Sequence, residues 1–207
     1  MMHRVPFAVR GPVRPMLPAA LGVLLAVALP AAALDMDGFS YPDTMQVGDR
    51  TLHRIGAGKR EATVFKVDVY VGAVYAEHRS CDVSELVRRD QARLFYMDFL
   101  RDVPADKLMA NMADNFRNHT PADASPDLRR RIDGFMKLFH RPARKGSRVE
   151  IRYVPGVGTL VSSAGVVAGP PVPGADFASV VWDIWFGTNT CCPDLLRSVR
   201  RTCAAAR

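Results

Sequence analysis

Apolar and polar residues alternate along several short runs of this chain. Met45 to Val47, Thr51 to Ile55 and Glu61 to Ala76 are rich in Val, Thr, Tyr and Phe and read as strands. Gly48-Asp49 and Gly56-Ala57-Gly58 punctuate them as turns. Strand side chains repeat every two residues, so the long third run sorts into two faces. Phe65, Val67, Val69, Val71, Ala73 and Tyr75 make one face almost wholly apolar, while Arg60, Lys66, Asp68 and Tyr70 share a mixed one. Ala92 to Arg101 alternates again and reads as another strand. Arg148 to Val154 and Gly158 to Ser163 form a hairpin around Pro155-Gly156. Gly165 to Pro173 is too rich in glycine and proline for a central strand.

Other segments carry a helical period. Asp82 to Asp90 is a short helix with Asp82 or Ser84 as its cap. Asp102 is placed to cap a longer helix, with Pro104 in its first turn, running to about Asn118. Leu108, Met112, Asn115 and Phe116 form a stripe along it. Pro121 and Pro126 bound a loop before a helix over Asp127 to His140, with Leu128, Ile132, Phe135, Met136 and Phe139 inward. Asp176 to Phe186, closed by Gly187, and Pro193 to about Cys203 are the last two helices. Strands first, helices in the middle, then a hairpin and terminal helices predict a segregated α+β domain.

The first 33 residues follow a different logic. His3, Arg4, Arg10 and Arg14 precede an apolar run from Leu17 to Leu29, and Pro30-Ala31-Ala32-Ala33 ends it in small residues. A bilayer span takes about 20 apolar residues, so this run reads as a cleaved export signal, cut just before Leu34. No cysteine follows closely enough to accept a lipid. The expectation is an exported protein, periplasmic in a Gram-negative host, with no membrane span after cleavage and one domain over residues 34–207. Loss of Arg4, Arg10 and Arg14 lowers the net charge of +7 by three. The basic clusters at Arg129-Arg130-Arg131 and Arg197, Arg200 and Arg201 read as solvated helix faces. Nucleic-acid binding calls for a basic stripe with interleaved aromatics, which is absent here.

The four cysteines are Cys81, Cys191, Cys192 and Cys203. Neighbouring Cys191 and Cys192 rarely bond each other. Cys192 and Cys203 would lie roughly 16 Å apart along a helix, beyond the limit of about 7 Å for a disulfide. A bond from Cys81 to one C-terminal cysteine is the remaining expectation. His3, His53, His78, His119 and His140 show no paired spacing and there is no Cys-x-x-Cys, so no metal site is expected. No nucleophile elbow, phosphate-binding loop or Ser/His/Asp set is present, and no cofactor is expected. Asn118-His119-Thr120 is a glycosylation sequon by pattern. Asp183, between Trp182 and Trp185, reads as a structural residue reaching solvent.

Gly56-Ala-Gly-Lys-Arg60-Glu, followed by Phe65-Lys-Val-Asp-Val-Tyr70-Val-Gly-Ala-Val-Tyr75, resembles the chalcone isomerase-like family. Members open with a glycine-rich turn, an arginine and a strand ending in a Val-Tyr or Leu-Tyr pair. Leu94 to Pro104 resembles the family's strand leading into its first helix, and Val181 to Gly187 its penultimate helix with the closing glycine. The resemblance runs from about Phe39 to about Val199. It implies an antiparallel sheet with a layer of helices packed on one face, an open-faced sandwich, and a ligand cleft between them.

The resemblance also implies site residues. Arg60 stands at the arginine that orients substrate in the plant isomerase and pairs with the carboxylate in the plant fatty-acid-binding relatives. Tyr70 matches the tyrosine of those relatives, where the isomerase has threonine. Asn115 matches the asparagine of the first long helix. Leu108 stands where the isomerase has a tyrosine that positions a catalytic water, and the isomerase's hydroxyl residue of the penultimate helix falls near Ala178 or Ser179. Leucine can neither donate nor accept a hydrogen bond, which argues against chalcone cyclisation. An arginine fork beside a phenol suits static recognition of a carboxylate. Leu108 and Met112 either line a channel for an apolar tail or fill plain helix core. The expected function is binding of a small hydrophobic or amphipathic ligand, such as a fatty acid, by Arg60, Tyr70, Leu108, Met112 and Asn115. Two alternatives stand beside it: an intramolecular lyase or isomerase working through Arg60, Tyr70 and Asn115, and a non-catalytic helper protein.

Overall fold

The computed structural model describes residues 33–62, 67–80 and 82–205. Strands β1 (Ala33–Met36) and β2 (Phe39–Pro42) form a two-stranded hairpin. The seven strands of the main sheet follow chain order: β3 (Thr44–Val47), β4 (Arg50–Ala62), β5 (Val67–Ala76), β6 (Arg93–Phe99), β7 (Arg148–Val154), β8 (Gly158–Ser163) and β9 (Val166–Val167). Every pairing in this sheet is antiparallel. The helices are α1 (Val83–Arg88), α2 (Ala105–His119), α3 (Pro126–Met136), α4 (Ala175–Phe186) and α5 (Pro193–Ala205), with one 3-10 turn at Lys137–Phe139 after α3. This is the expected α+β class, a curled sheet with helices packed against it. The export signal lies outside the described residues, except that Ala33 opens β1. Phe65, Lys66 and Cys81 also lie outside them, as does the Cys203 side chain, and with them the expected Cys81 disulfide. No helix among the described residues is long and apolar enough to cross a membrane.

The glycine segment departs from expectation. Gly56-Ala57-Gly58 is not a turn, because β4 runs straight through it. Its glycines serve close packing instead. A Cβ on Gly56 would stand 2.9 Å from the Val199 backbone nitrogen, and one on Gly58 would stand 2.9 Å from the Leu195 Cα. Both neighbours belong to α5, so the missing side chains let that helix lie directly on the strand. Ala57, which points to the opposite face, donates its amide to Ser198 Oγ at 3.1 Å.

β5 is buried on both faces, so its alternation is apolar against apolar rather than polar against apolar. Tyr70, Val74 and Ala76 pack with Phe95, Met97 and Phe99 under the helices, against Phe177, Trp182, Trp185 and Phe186. The face read as mixed is therefore the helix-covered one. On the reverse side, Val71, Ala73, Tyr75, Leu94 and Tyr96 pack with Tyr41 and Leu52 in a second core, against which Leu34, Met36 and Phe39 of the β1–β2 hairpin lean. Asp98, fully buried there, accepts two bonds from Arg148 (2.7 and 2.8 Å) and one from the Tyr41 hydroxyl (2.6 Å). The Arg148 guanidinium also lies 4.0 Å from the Tyr96 ring centre.

Capping shows one further departure. Asp82 caps α1 as expected, accepting from the Ser84 amide at 2.8 Å. Asp102 does not cap α2, because its carboxylate takes the Lys145 amide at 2.8 Å and the helix begins from Pro104 without a side-chain cap. Ser125 caps α3 through the Leu128 amide. Asp183 is not simply a solvent-reaching residue, since it binds Nδ1 of the nearly buried His119 at 2.8 Å and ties α4 to α2.

Candidate ligand cavity

Arg60 and Tyr70 do not share a strand. Arg60 is on β4 and Tyr70 on β5, and the two are direct partners across the antiparallel ladder. The next pair is Glu61 with Asp68, so Val69 is left without an opposite number. This bulge turns Val69 and Tyr70 toward the same side, and both line a cavity beneath the helices.

The sheet gives that cavity Arg60, Val69, Tyr70, Met97, Phe99 and Val149, and α2 gives Leu108, Asn111, Met112 and Asn115. The α2 residues follow the i, i+3, i+4, i+7 spacing of one helix face. Val103, Phe139, Trp185 and Cys191 complete the wall. The cavity is narrow, about 60 Å³. All five residues singled out in the sequence therefore border one space. Leu108 and Met112 also pack against the main core, so the channel and core readings describe the same side chains. Ala178 and Ser179 do not border it. Ala178 is fully buried elsewhere, and the Ser179 hydroxyl donates to the Ala175 carbonyl at 2.9 Å.

Tyr70 is buried, and its hydroxyl is engaged. Trp185 Nε1 donates to it at 2.9 Å, and Cys192 Sγ lies 3.3 Å away. Its ring stands edge-on to Phe99, with centres 5.7 Å apart. Burial, followed by the neighbouring Cys192 and Cys191, pushes its pKa well above the ordinary phenol range, so it stays neutral. Arg60 is half-buried, with its guanidinium carbon 5.9 Å from the Tyr70 ring centre. The groups facing that guanidinium are Tyr70, Cys191 and Cys192, and among the described residues no carboxylate pairs with it. The Asn115 amide is half-buried and makes no side-chain hydrogen bond to another described residue.

Sequence reasoning missed Asn111, Trp185 and Cys191. Asn111 was legible, since it sits three residues after Leu108 and four before Asn115. The other two reach the cavity only through the packing of α4 and of the segment before α5. No local pattern marks them.

Residues 33–197 match the family described as chalcone isomerase-like. The chain belongs to that family. Among solved structures, the crystal structure of the Arabidopsis thaliana fatty-acid binding protein superposes with a TM-score of 0.64 at 16% identity. The alignment covers 84% of this chain and 99% of that one. At such low identity the likeness concerns the fold. No curated protein matches the chain. In this chalcone isomerase-like chain the α2 wall offers two amides and two apolar side chains but no hydroxyl, and the phenol of Tyr70 is already held by Trp185.

Proposed function

We propose that this protein binds a small amphipathic carboxylate, such as a fatty acid, with the acid group on Arg60 and the apolar chain running toward Leu108 and Met112. The observation that carries this reading is the Arg60 guanidinium, half-buried at an apolar cavity and without a carboxylate partner among the described residues. A buried charge calls for a counter-ion, and a planar guanidinium matches a carboxylate with two parallel bonds. The fatty-acid binding protein that shares the fold supports the same ligand class. A cavity of about 60 Å³ suits the head and first carbons of a slender chain better than a multi-ring substrate.

Turnover has less support. General acid–base work needs a group whose proton moves near neutral pH. Tyr70 is held neutral by burial, and Leu108 offers no proton at all. Export of the chain, with cleavage before Leu34, belongs to the same proposal. It rests on the basic, apolar and small-residue sequence of the first 33 residues.

Native mass spectrometry of protein purified without added lipid tests the reading directly, and intact mass of the same sample tests cleavage. The expected result is an adduct with the mass of a carboxylic acid. Titration calorimetry with dodecanoate and dodecanol then separates head-group recognition from plain apolar uptake. Equal affinity for acid and alcohol would overturn the carboxylate role of Arg60.

A further inference from the structure

Cys191 borders the cavity beside Arg60, and Cys192 is its neighbour in the chain. Cys191 and Cys192 precede α5 with their Sγ atoms 3.0 Å apart. A disulfide bond measures about 2.05 Å, so the two sulfurs stand about 1 Å short of bonding distance. Their settings differ. Cys191 is half-buried and borders the cavity, whereas Cys192 is 2% exposed. The Cys192 carbonyl accepts the Leu196 amide at 3.1 Å, which places this residue at the N-terminal cap of α5. Thiolates are favoured beside helix N-termini and guanidinium groups. The hydrogen bond from Cys192, with the Arg60 charge assisting, lowers the pKa of Cys191. Burial, with Cys191 as neighbour, pushes Cys192 well above the ordinary thiol range.

We propose that Cys191 and Cys192 form a thiol–disulfide exchange site, with the half-buried Cys191 attacking small disulfides that reach its sulfur and Cys192 resolving the adduct. In the first step the Cys191 thiolate bonds to one sulfur of RSSR and RS⁻ leaves. In the second, Cys192 gives up its proton and attacks the Cys191 sulfur, expelling the second RS⁻. Two protein thiols and one RSSR become one protein disulfide and two RSH, so the two electrons pass from the cysteines to the small disulfide. Adjacent Cα atoms are about 3.8 Å apart, below the usual disulfide span of about 4.4–6.8 Å. The closed form is therefore strained and readily reduced by a thiol. It works as a reversible couple rather than a staple. The site does not require Arg60 to take a carboxylate, although the Arg60 charge assists the Cys191 thiolate.

Glutathione tests it on the full chain. After oxidised glutathione, the tryptic peptide Tyr153–Arg197, which contains both cysteines, is expected to be lighter by two hydrogens. It should not be joined to the peptides of Cys81 or Cys203, and reduced glutathione should restore it. Cys192→Ser should accumulate a glutathione adduct on Cys191, while Cys191→Ser should react about tenfold more slowly. A pair that stays fully alkylatable after oxidant, or that is found bonded to Cys81 or Cys203, would overturn the proposal. So would equal adduct rates in the two single variants. Mapping the wild type needs no substitution, so a misfolded variant leaves the decision intact.

Discussion

Arg60 and Tyr70 face each other across β4 and β5, with the guanidinium carbon 5.9 Å from the centre of the phenol ring. The ring supports the cation from one side, and the Cys191 thiol is its other near neighbour. The phenol is thus a platform for the cation as much as a donor in its own right.

For binding, that division predicts an unequal response. A hydrogen bond to a charged group is worth about 1.5–3 kcal/mol, so Arg60→Ala should weaken dodecanoate binding about ten- to a hundredfold. Arg60→Lys should recover part of it, since an ammonium lacks the planar fork. Dodecanol binding should change little in either variant. Calorimetry on the two ligands checks all three outcomes.

Tyr70→Phe should cost more in folding than in binding. Removing the hydroxyl strands the Trp185 indole N–H, which now donates to it at 2.9 Å. An unsatisfied buried donor costs about 1–3 kcal/mol. Denaturant unfolding should show that loss, while acid binding weakens less than in Arg60→Ala.

Two glycine-to-alanine changes should move stability in opposite directions. Gly58→Ala drives a methyl to 2.9 Å from the Leu195 backbone and should destabilise by about 1–3 kcal/mol. Gly134→Ala sits within α3 with nothing within 4 Å of the new Cβ. It should stabilise by about 0.5–1 kcal/mol. Paired urea curves decide both.

The second core predicts a cost at Asp98. Asp98→Ala leaves Arg148 without its two charge-assisted bonds and Tyr41 without its acceptor. Breaking a fully buried pair costs about 3–5 kcal/mol. Arg148 is 37% exposed, so the loss should fall at or below the lower end of that range. Thermal unfolding measures it.

Arg131 grips Asp176 with two bonds of 2.8 and 2.6 Å, joining α3 to the start of α4, and this hydrogen bonding lowers the Asp176 pKa below the ordinary carboxylate value. A carboxylate with a depressed folded pKa adds stability that is complete above its unfolded value of about 3.9 and fades as pH falls through the folded one. Asp176 is 54% exposed, so the contribution stays within about 1 kcal/mol. The gap in melting temperature between wild type and Asp176→Asn should be small at pH 7 and should close in acid.

The helices and most strands of the main sheet were legible because period and caps are local signals, as at Asp82 and along the Leu108–Asn115 stripe. The glycines of β4 were not. A turn and a close helix contact ask for the same residue, and α5 lies far along the chain. Asp102 illustrates the same limit, since its carboxylate takes an amide 43 residues away in place of the cap its position suggested. Strand parity puts Arg60 and Tyr70 on one face of a single strand, whereas the bulge at Val69 and the ladder pairing bring them together across two. The thiol end of the cavity was out of reach, because Tyr70 meets Cys192 across 122 residues.

β6 has no spare side. Phe95, Met97 and Phe99 lie under the helices, while Leu94, Tyr96 and Asp98 are fastened into the core behind. The floor of the ligand space is thus clamped from two directions. Its roof is not: α2 buries only Met112 and Phe116, and its first turn has no side-chain cap. The width proposed for a ligand is therefore set between a fixed sheet and one helix, which His119 pins to Asp183 of α4 at its last turn.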